Sequence, residues 1–311
     1  MTKIAIMQLE PIHTSLDSTL QKALDHIDTA SEEGADIVVF GESWFCGYPA
    51  WIDFCDGVAK WDHEPVKAAW ANMYENALVL EGVALTKLCS IAKEKKITII
   101  TGANEVVRQG KGHSSIYNTI FTIDEQGQLA NHHRKLMPTY NEKLIHHSGD
   151  GAGLHAVETN NGRIGSLICW EHWMPLTRQA MHDEAEDIHF ALWPHVIDRH
   201  LLASRHYAFE GRCYVIAVGQ IMHAKSIPTG LDKPSSFSDD SAMIMKGGSC
   251  AIGPDGELLS EQVIGKEEIL YVEIPSAKEL VKERMNLAVS GHYQRDDVFT
   301  FEVNKSRVKK Q

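Results

Sequence analysis

The sequence predicts an α/β fold. Short apolar runs at 3–8, 36–40, 97–101, 188–193 and 214–219 alternate with stretches of helical spacing at 15–33, 78–95, 175–183 and 200–211. Alternation of this kind builds a sheet with helices packed on its faces. A third observation is where the reactive residues fall. Glu42 lies just past one strand and Cys169 at the end of another (164–168), the strand edge at which α/β sheets bind ligands.

The helix at 15–33 carries Leu20, Ala23, Leu24, Ile27 and Ala30 on one face and stops at Gly34, a residue suited to the left-handed turn after a helix. The stretch 51–77 holds Trp51, Trp61, Trp70 and Tyr74. It reads as an aromatic-rich helix packed over the core, with a lid or subunit contact as the alternative, because exposed aromatics favour interfaces. The runs 117–123 and 128–133 flank a turn ending at Gly127, a hairpin pattern. A second hairpin is expected from 248–252 and 257–261 around Pro254, Asp255 and Gly256. Two strand–helix halves, each with a hairpin, suggest an internally pseudo-symmetric core of two sheets. Residues 214–219 read as a fully buried strand from their unbroken apolar run. Residues 225–241, rich in Ser, Pro, Asp and Gly, read as a surface loop. With no linker or low-complexity segment in view, a single domain over 1–311 is expected, with a tail at about 295–311.

Three windows carry chemistry. A thiol at Cys169, followed by a backbone N–H at Trp170, suits nucleophilic catalysis: an ionised sulfur attacks, and the N–H holds developing negative charge. Taken alone, this window also fits a buried cysteine acting as a small apolar residue. Glu42 adds a carboxylate that can take the thiol proton. Lys135 and Glu142 stand around a turn marked by Pro138 and add an ammonium and a second carboxylate.

These windows carry a resemblance. Gly41-Glu42-Ser43 with Tyr48-Pro49, Arg134-Lys135-Leu136-Met137-Pro138-Thr139 with Glu142, and Cys169-Trp170-Glu171 with Met174-Pro175-Leu176 occur in this order. Gly149-Asp150-Gly151, the stretch 203–213 and Gly291-His292-Tyr293 extend the match nearly end to end. The sequence resembles the nitrilase branch of the carbon–nitrogen hydrolase superfamily. The resemblance implies a four-layer α-β-β-α sandwich, a layering that periodicity alone does not give. It implies a thiol hydrolase that converts a small nitrile and two waters to a carboxylic acid and ammonia through a Cys169 thioimidate and thioester. Cys169 would be the nucleophile, Glu42 the general base, Lys135 the electrostatic stabiliser and Glu142 the residue that orients Lys135. Tyr48, Trp170, Trp193 and His146 are the expected substrate-binding residues. Glu171 is expected to be a structural hydrogen-bond partner.

The competing readings are an amidase or carbamoylase of the same superfamily, and a catalytically silent binding protein on the same fold. Trp170-Glu171 after the cysteine resembles nitrilases, and the joint presence of Glu42, Lys135 and Cys169 speaks for an enzyme. The sequence departs from the family pattern at Lys143, where Arg is common, at His146-His147-Ser148, where many nitrilases have Trp-Gly, and at Asp296, where Pro is common. A histidine lining the pocket would weaken inferences about aromatic substrates.

Composition bounds the rest. The 311 residues are 43% hydrophobic and 23% charged with a net charge of -12. An acidic chain without a basic stripe argues against nucleic acid and anionic membranes as partners, and the basic end at 304–311 reads as solvated. The first residues form a strand pattern and lack the features of a signal peptide. No apolar run reaches bilayer length. Six scattered cysteines (46, 55, 89, 169, 213 and 250) form no disulfide framework, so a reducing, cytoplasmic setting is expected. Of 17 histidines, the densest cluster is His132, His133, His146 and His147 near Glu142. Lacking a His-Glu-x-x-His pattern, it is read as solvated or core histidines, and no metal or other cofactor is expected. A homodimer or larger homo-oligomer is expected from the aromatic stretch and the family resemblance.

Overall fold

Strands and helices alternate as expected, and the strands sort into two sheets. The structure, a computed structural model, describes residues 1–307. The first sheet contains β1 (Thr2–Gln8), β2 (Ile37–Phe40), β3 (Thr98–Val107), β4 (Ser115–Ile123) and β5 (Leu129–Arg134). The second contains β6 (Val157–Thr159), β7 (Gly162–Ile168), β8 (Ile188–Leu192), β9 (Tyr214–Val218), β10 (Ile221–His223), β11 (Met243–Ile252) and β12 (Val263–Ile264). The chain then returns to the first sheet as β13 (Glu268–Ile274), antiparallel to β1. The sheet orders are β13-β1-β2-β3-β4-β5 and β10-β11-β9-β8-β7-β6, with β12 on β11. Each sheet has a parallel trio at its centre, β1-β2-β3 in one and β7-β8-β9 in the other. Antiparallel strands flank both trios.

Helices α1 (Leu16–Glu32), α2 (Glu64–Asn76), α3 (Val83–Lys95), α4 (Pro175–His182) and α5 (Asp198–Gly211) complete the layers. Successive residues of a strand face opposite sides, and the central strands use both. Ile4, Ile6, Ile37 and Val39 meet Ile168, Phe190 and Leu192 of the other sheet. Ala5, Met7, Val38 and Phe40 meet Ala23 and Ile27 of α1 and Leu88 and Ala92 of α3. On the far side of the second sheet, Met181 of α4 and Ala203, Tyr207 and Ala208 of α5 join the core. The result is the α-β-β-α sandwich. Each fully buried Ile, Leu or Phe contributes about 1.5–3 kcal/mol of transfer free energy.

Several elements differ from expectation. The long helix expected from residue 78 begins at Val83. Leu78 instead bridges to β3, its N–H donating to the Asn104 carbonyl at 2.8 Å, and residues 79–82 turn into the helix. The strand expected to end at 101 continues to Val107, because β4 pairs with it along its whole length. The aromatic stretch is not one helix. Ala50–Asp53 is a 3-10 turn, irregular chain follows, and only then does α2 begin. Trp51 is buried, Trp70 stacks on Tyr74, and Trp61 projects with 94% of its surface exposed. The second hairpin is reduced to a single bridge between Ile252 and Leu258, and β12 pairs with β11 in its place. Ahead of the end expected to be solvated, the chain packs back through Phe301 and Val303; residues 304–306 are exposed, and Arg307 pairs with Asp150. Residues 308–311 of that expected solvated end lie outside the described residues.

Candidate active site

Three strand ends and one 3-10 turn converge on one buried cluster. The chain leaves β2 at Phe40 and turns through Ser43, a non-glycine residue at φ +49. This places Glu42 with no exposed surface. Gly102 on β3 permits the turn: a Cβ there would lie 2.2 Å from the Gly41 carbonyl oxygen. Lys135 follows β5 directly, and its N–H donates to the Asn118 carbonyl of β4 at 2.8 Å. Glu142 lies in the 3-10 turn Tyr140–Leu144, where its Oε2 accepts the Thr139 N–H at 3.1 Å. Cys169 directly follows β7 at φ +53, a left-handed conformation that costs a non-glycine residue about 1–3 kcal/mol and clusters at functional sites.

The Lys135 ammonium lies between the two carboxylates. Its Nζ donates to Glu42 Oε1 at 2.9 Å and to Glu142 Oε2 at 2.7 Å. Asn118 Nδ2 donates to the same Glu42 Oε1 at 2.7 Å, and the Tyr48 hydroxyl donates to Glu142 Oε1 at 2.8 Å. Glu42 Oε2 is buried with no hydrogen-bond partner. Ligand atoms of Glu42, Glu142 and Cys169 all lie within 4.8 Å of one another. Two carboxylates and a thiol at this distance could ligate a cation. Here the Lys135 ammonium already supplies the positive charge that both carboxylates share.

Burial governs the proton affinities. It pushes Glu42 up to about 7, against the pull of Lys135, with Glu142 adding to the rise. The Cys169 thiol is pushed well above its ordinary value by burial and by Glu42, while Lys135 and the Trp170 N–H oppose the rise. Burial alone would lower Lys135, yet Cys169, Glu142 and Glu42 hold it well above its usual value. Burial would raise Glu142, but Lys135 outweighs it and keeps this carboxyl below the ordinary range. The resting cluster is therefore a thiol, an ammonium, one firm carboxylate and one carboxylate unusually ready to accept a proton near neutrality.

A cavity of about 290 Å³ opens onto the cluster, lined by Tyr48, Glu142, Cys169 and Trp170. Asp53, His195, Arg199 and Met245 also line it, and no sequence signal marked them. A larger cleft of about 610 Å³, around His13, Lys22 and Lys225, contains no thiol.

Tyr48 and Trp170 stand where substrate contact was expected. Trp193 and His146 do not. Trp193 is fully buried in the core, its indole N–H donating to Ser204 Oγ at 3.1 Å. The ring is sandwiched between His172 and His200. His146 turns away from the cavity, and its Nε2 hydrogen bonds with Asn104 Oδ1 at 2.8 Å. Glu171 is the expected structural partner: its carboxylate accepts the Leu136 and Ile168 N–H groups, each at 2.8 Å, and hydrogen bonds with His133 Nε2. It ties the Lys135 turn to the Cys169 turn. Asn118 was missed, because an inward asparagine in an antiparallel strand has no distinguishing spacing.

Comparison with known proteins bears on this arrangement. Residues 3–280 match the family described as carbon–nitrogen hydrolase. A protein named Nitrilase 2, from an unknown prokaryotic organism, is 31% identical over 97% of this chain and 92% of its own length. An aliphatic nitrilase of Rhodococcus rhodochrous is 31% identical over 97% of this chain and 82% of its own. Among solved structures, Nit3 of Saccharomyces cerevisiae, described as a member of branch 10 of the nitrilase superfamily, superimposes with a TM-score of 0.69 at 18% identity. That match covers 94% of this chain and 97% of the yeast protein, and it concerns the fold. The chain is a member of the carbon–nitrogen hydrolase family, on its nitrilase branch.

Proposed function

We propose that this protein hydrolyses nitriles, R–C≡N plus two waters giving R–COOH and NH₃, with Cys169 as the nucleophile. The observation that carries the reading is the Lys135 ammonium bonded to both Glu42 and Glu142, with the Cys169 sulfur within 4.8 Å of their oxygens. The free Oε2 of Glu42 takes the thiol proton, and the thiolate adds to the nitrile carbon. The carbon bends as the C–S bond forms, and the nitrogen gains negative charge. Lys135 and the Trp170 N–H stabilise that charge, and a proton relayed through the cluster converts the adduct to a neutral thioimidate. Water activated by Glu42 adds to it, ammonia leaves, and a thioester remains. A second water releases the acid and restores the thiol.

Glu142, fixed by Tyr48 and Thr139, orients Lys135 and keeps the departing nitrogen protonated. Tyr48 and Trp170 line the substrate cavity. Its volume of about 290 Å³ suits a small nitrile. The six cysteines are all unpaired, which supports a reducing, cytoplasmic setting. No described helix is long and apolar enough to cross a membrane. Exposed Trp61, Trp173, Leu176, Leu202 and Phe209 support assembly into at least a homodimer. A nitrile panel assayed for ammonia, with Cys169→Ala as control, tests the activity. Release of ammonia by the folded wild type and none by the variant is expected; equal release by both would refute the role of Cys169.

A further inference from the structure

Behind the Cys169 turn lies a buried polar chain that the reaction scheme does not use. His172 Nδ1 hydrogen bonds with the Cys169 carbonyl oxygen at 2.7 Å. His172 Nε2 lies 3.0 Å from His189 Nε2, and His189 Nδ1 lies 2.8 Å from Glu186 Oε1. Glu186 Oε2 accepts the Tyr207 hydroxyl. His172, His189, Glu186 and Tyr207 each expose 2% of their surface or less. The space is built for the carboxyl: a Cβ on Gly165 of β7 would lie 1.4 Å from Glu186 Oε1.

Hydrogen-bond bookkeeping fixes the protons. A carbonyl oxygen only accepts, so His172 Nδ1 carries hydrogen, and in the neutral ring Nε2 is an acceptor. His189 Nε2 must then donate, which makes its own Nδ1 an acceptor in the neutral ring. Glu186 Oε1 must therefore carry a proton and donate it. Burial favours the neutral form of all three groups: it pushes Glu186 up to about 8, lowers His172 to about 3, and holds His189 well below its ordinary value.

The acceptor at the end of this chain belongs to the peptide plane between Cys169 and Trp170. The C=O of that plane takes the His172 hydrogen, and its N–H opposes the rise in proton affinity of the Cys169 thiol. Fixing the oxygen fixes the direction of the N–H, and donation to the oxygen polarises the N–H further. We propose that Tyr207, Glu186, His189 and His172 form a positioning chain that aims the Trp170 N–H at the Cys169 sulfur and at the anion formed there. The inference rests on Cys169 being the reactive thiol. His172 is held in place by stacking on Trp193, with centroids 4.8 Å apart, and His189 by stacking on Tyr207 at 3.8 Å.

The charged and titratable surroundings are defined. Glu186 is faced by His182 of α4, Glu184 and Asp187 of the adjoining turn, and Cys213 after α5. Arg284 donates to its main-chain oxygen at 2.8 Å. His172 also feels Glu171 and Arg178.

The test is the rate at which iodoacetamide alkylates Cys169, followed by peptide mass spectrometry against pH, with nitrile kcat and KM measured beside it. His172→Phe removes the donor but keeps a flat ring. His172→Asn returns an N–H at nearly the same place. We expect His172→Phe to slow alkylation about tenfold, the upper end of the scale for one lost neutral hydrogen bond, and to shift its pH profile upward. We expect kcat to fall more than KM changes, and His172→Asn to recover most of the loss. Glu186→Gln, which still donates to His189 and accepts from Tyr207, should alkylate within about threefold of wild type on the same scale. An unmoved alkylation profile in folded His172→Phe would overturn the proposal, as would His172→Asn performing no better than His172→Phe. A tenfold or larger loss in folded Glu186→Gln, judged on that scale, would also overturn it, and this result can be read even if His172→Phe does not fold. If wild type turns over no nitrile while the alkylation pattern holds, the positioning chain stands and the nitrile assignment falls.

Discussion

At the scale of single residues, the site depends on charges held out of water. Cys169→Ala removes the nucleophile and little volume, so it should abolish ammonia release while the thermal melt stays close to wild type. Glu42→Gln and Lys135→Ala should each lower kcat by at least about a hundredfold, the scale of losing a general base or an oxyanion donor. Single-turnover kinetics would show whether the loss lies in acylation. Lys135→Ala also strands two buried carboxylates, which costs about 3–5 kcal/mol and can be read by urea unfolding. Glu42 acts as a base only when ionised, and burial pushes it up to about 7. The kcat/KM profile should therefore rise with pH through about 7 rather than level off near 5, and a flat profile from 5 to 8 would remove Glu42 from the role of base. Glu42, Lys135, Glu142 and Cys169 could all be named from the sequence, because each sits inside a recognisable window, the first, second and fourth just past a strand end and Glu142 in the turn that follows Lys135. Trp193 and His146 misled because residue type and proximity in sequence do not reveal which way a side chain points. Trp193 starts the segment after β8 yet faces α5, and His146 is turned toward Asn104 on β3.

At the scale of elements, the turn that carries Glu42 is held against β3. Gly102→Ala would place a methyl group 2.2 Å from the Gly41 carbonyl oxygen and 2.6 Å from the Ser43 nitrogen. Overpacking of this kind costs about 1–3 kcal/mol, and displacement of the turn should lower activity more than stability. A melt and a kcat measurement on one preparation separate the two effects. The element pairing of β7 with Glu186 predicts a pH effect. The Glu186 carboxyl is pushed up to about 8 in the fold from an ordinary value of 4.5. A raised value favours the protonated fold, so its stabilising contribution is complete below about 4.5 and disappears as pH rises through about 8. Glu186→Gln should therefore match wild type in Tm near pH 4.5 and exceed it near pH 9, and the opposite trend would contradict a neutral Glu186. The strongly periodic α1 and the unbroken apolar runs of β2 and β9 were readable in advance. The return of β13 to pair with β1 was not, since Glu268–Ile274 is an edge strand whose partner lies at the other end of the chain. The break of 78–95 was hidden because backbone pairing at Leu78 overrides a helical pattern of side chains.

At the scale of the whole molecule, two stacked sheets bring the ends of β2, β5 and β7 to one cavity. The α-β-β-α layering came from resemblance to a family; it became physical only when alternate residues of β1 and β2 proved to face different layers. In the aromatic stretch that first suggested assembly Trp51 is buried, Trp70 and Tyr74 are half-buried and Trp61 is exposed, while the α4 and α5 side offers Leu176, Leu202 and Phe209. Light scattering should give at least twice the monomer mass; a monomer at assay concentration would refute assembly. The central claim concerns the bond that is broken. In the proposed mechanism the Lys135–Glu142 pair keeps the nitrogen of the tetrahedral adduct protonated, so ammonia should leave in preference to the Cys169 thiolate. The direct measurement is product analysis on an accepted nitrile, together with kcat/KM for the corresponding amide. The account predicts acid as the main product, a minor share of amide, and far slower hydrolysis of the amide itself. An amide that is the better substrate would contradict it and make the protein an amidase.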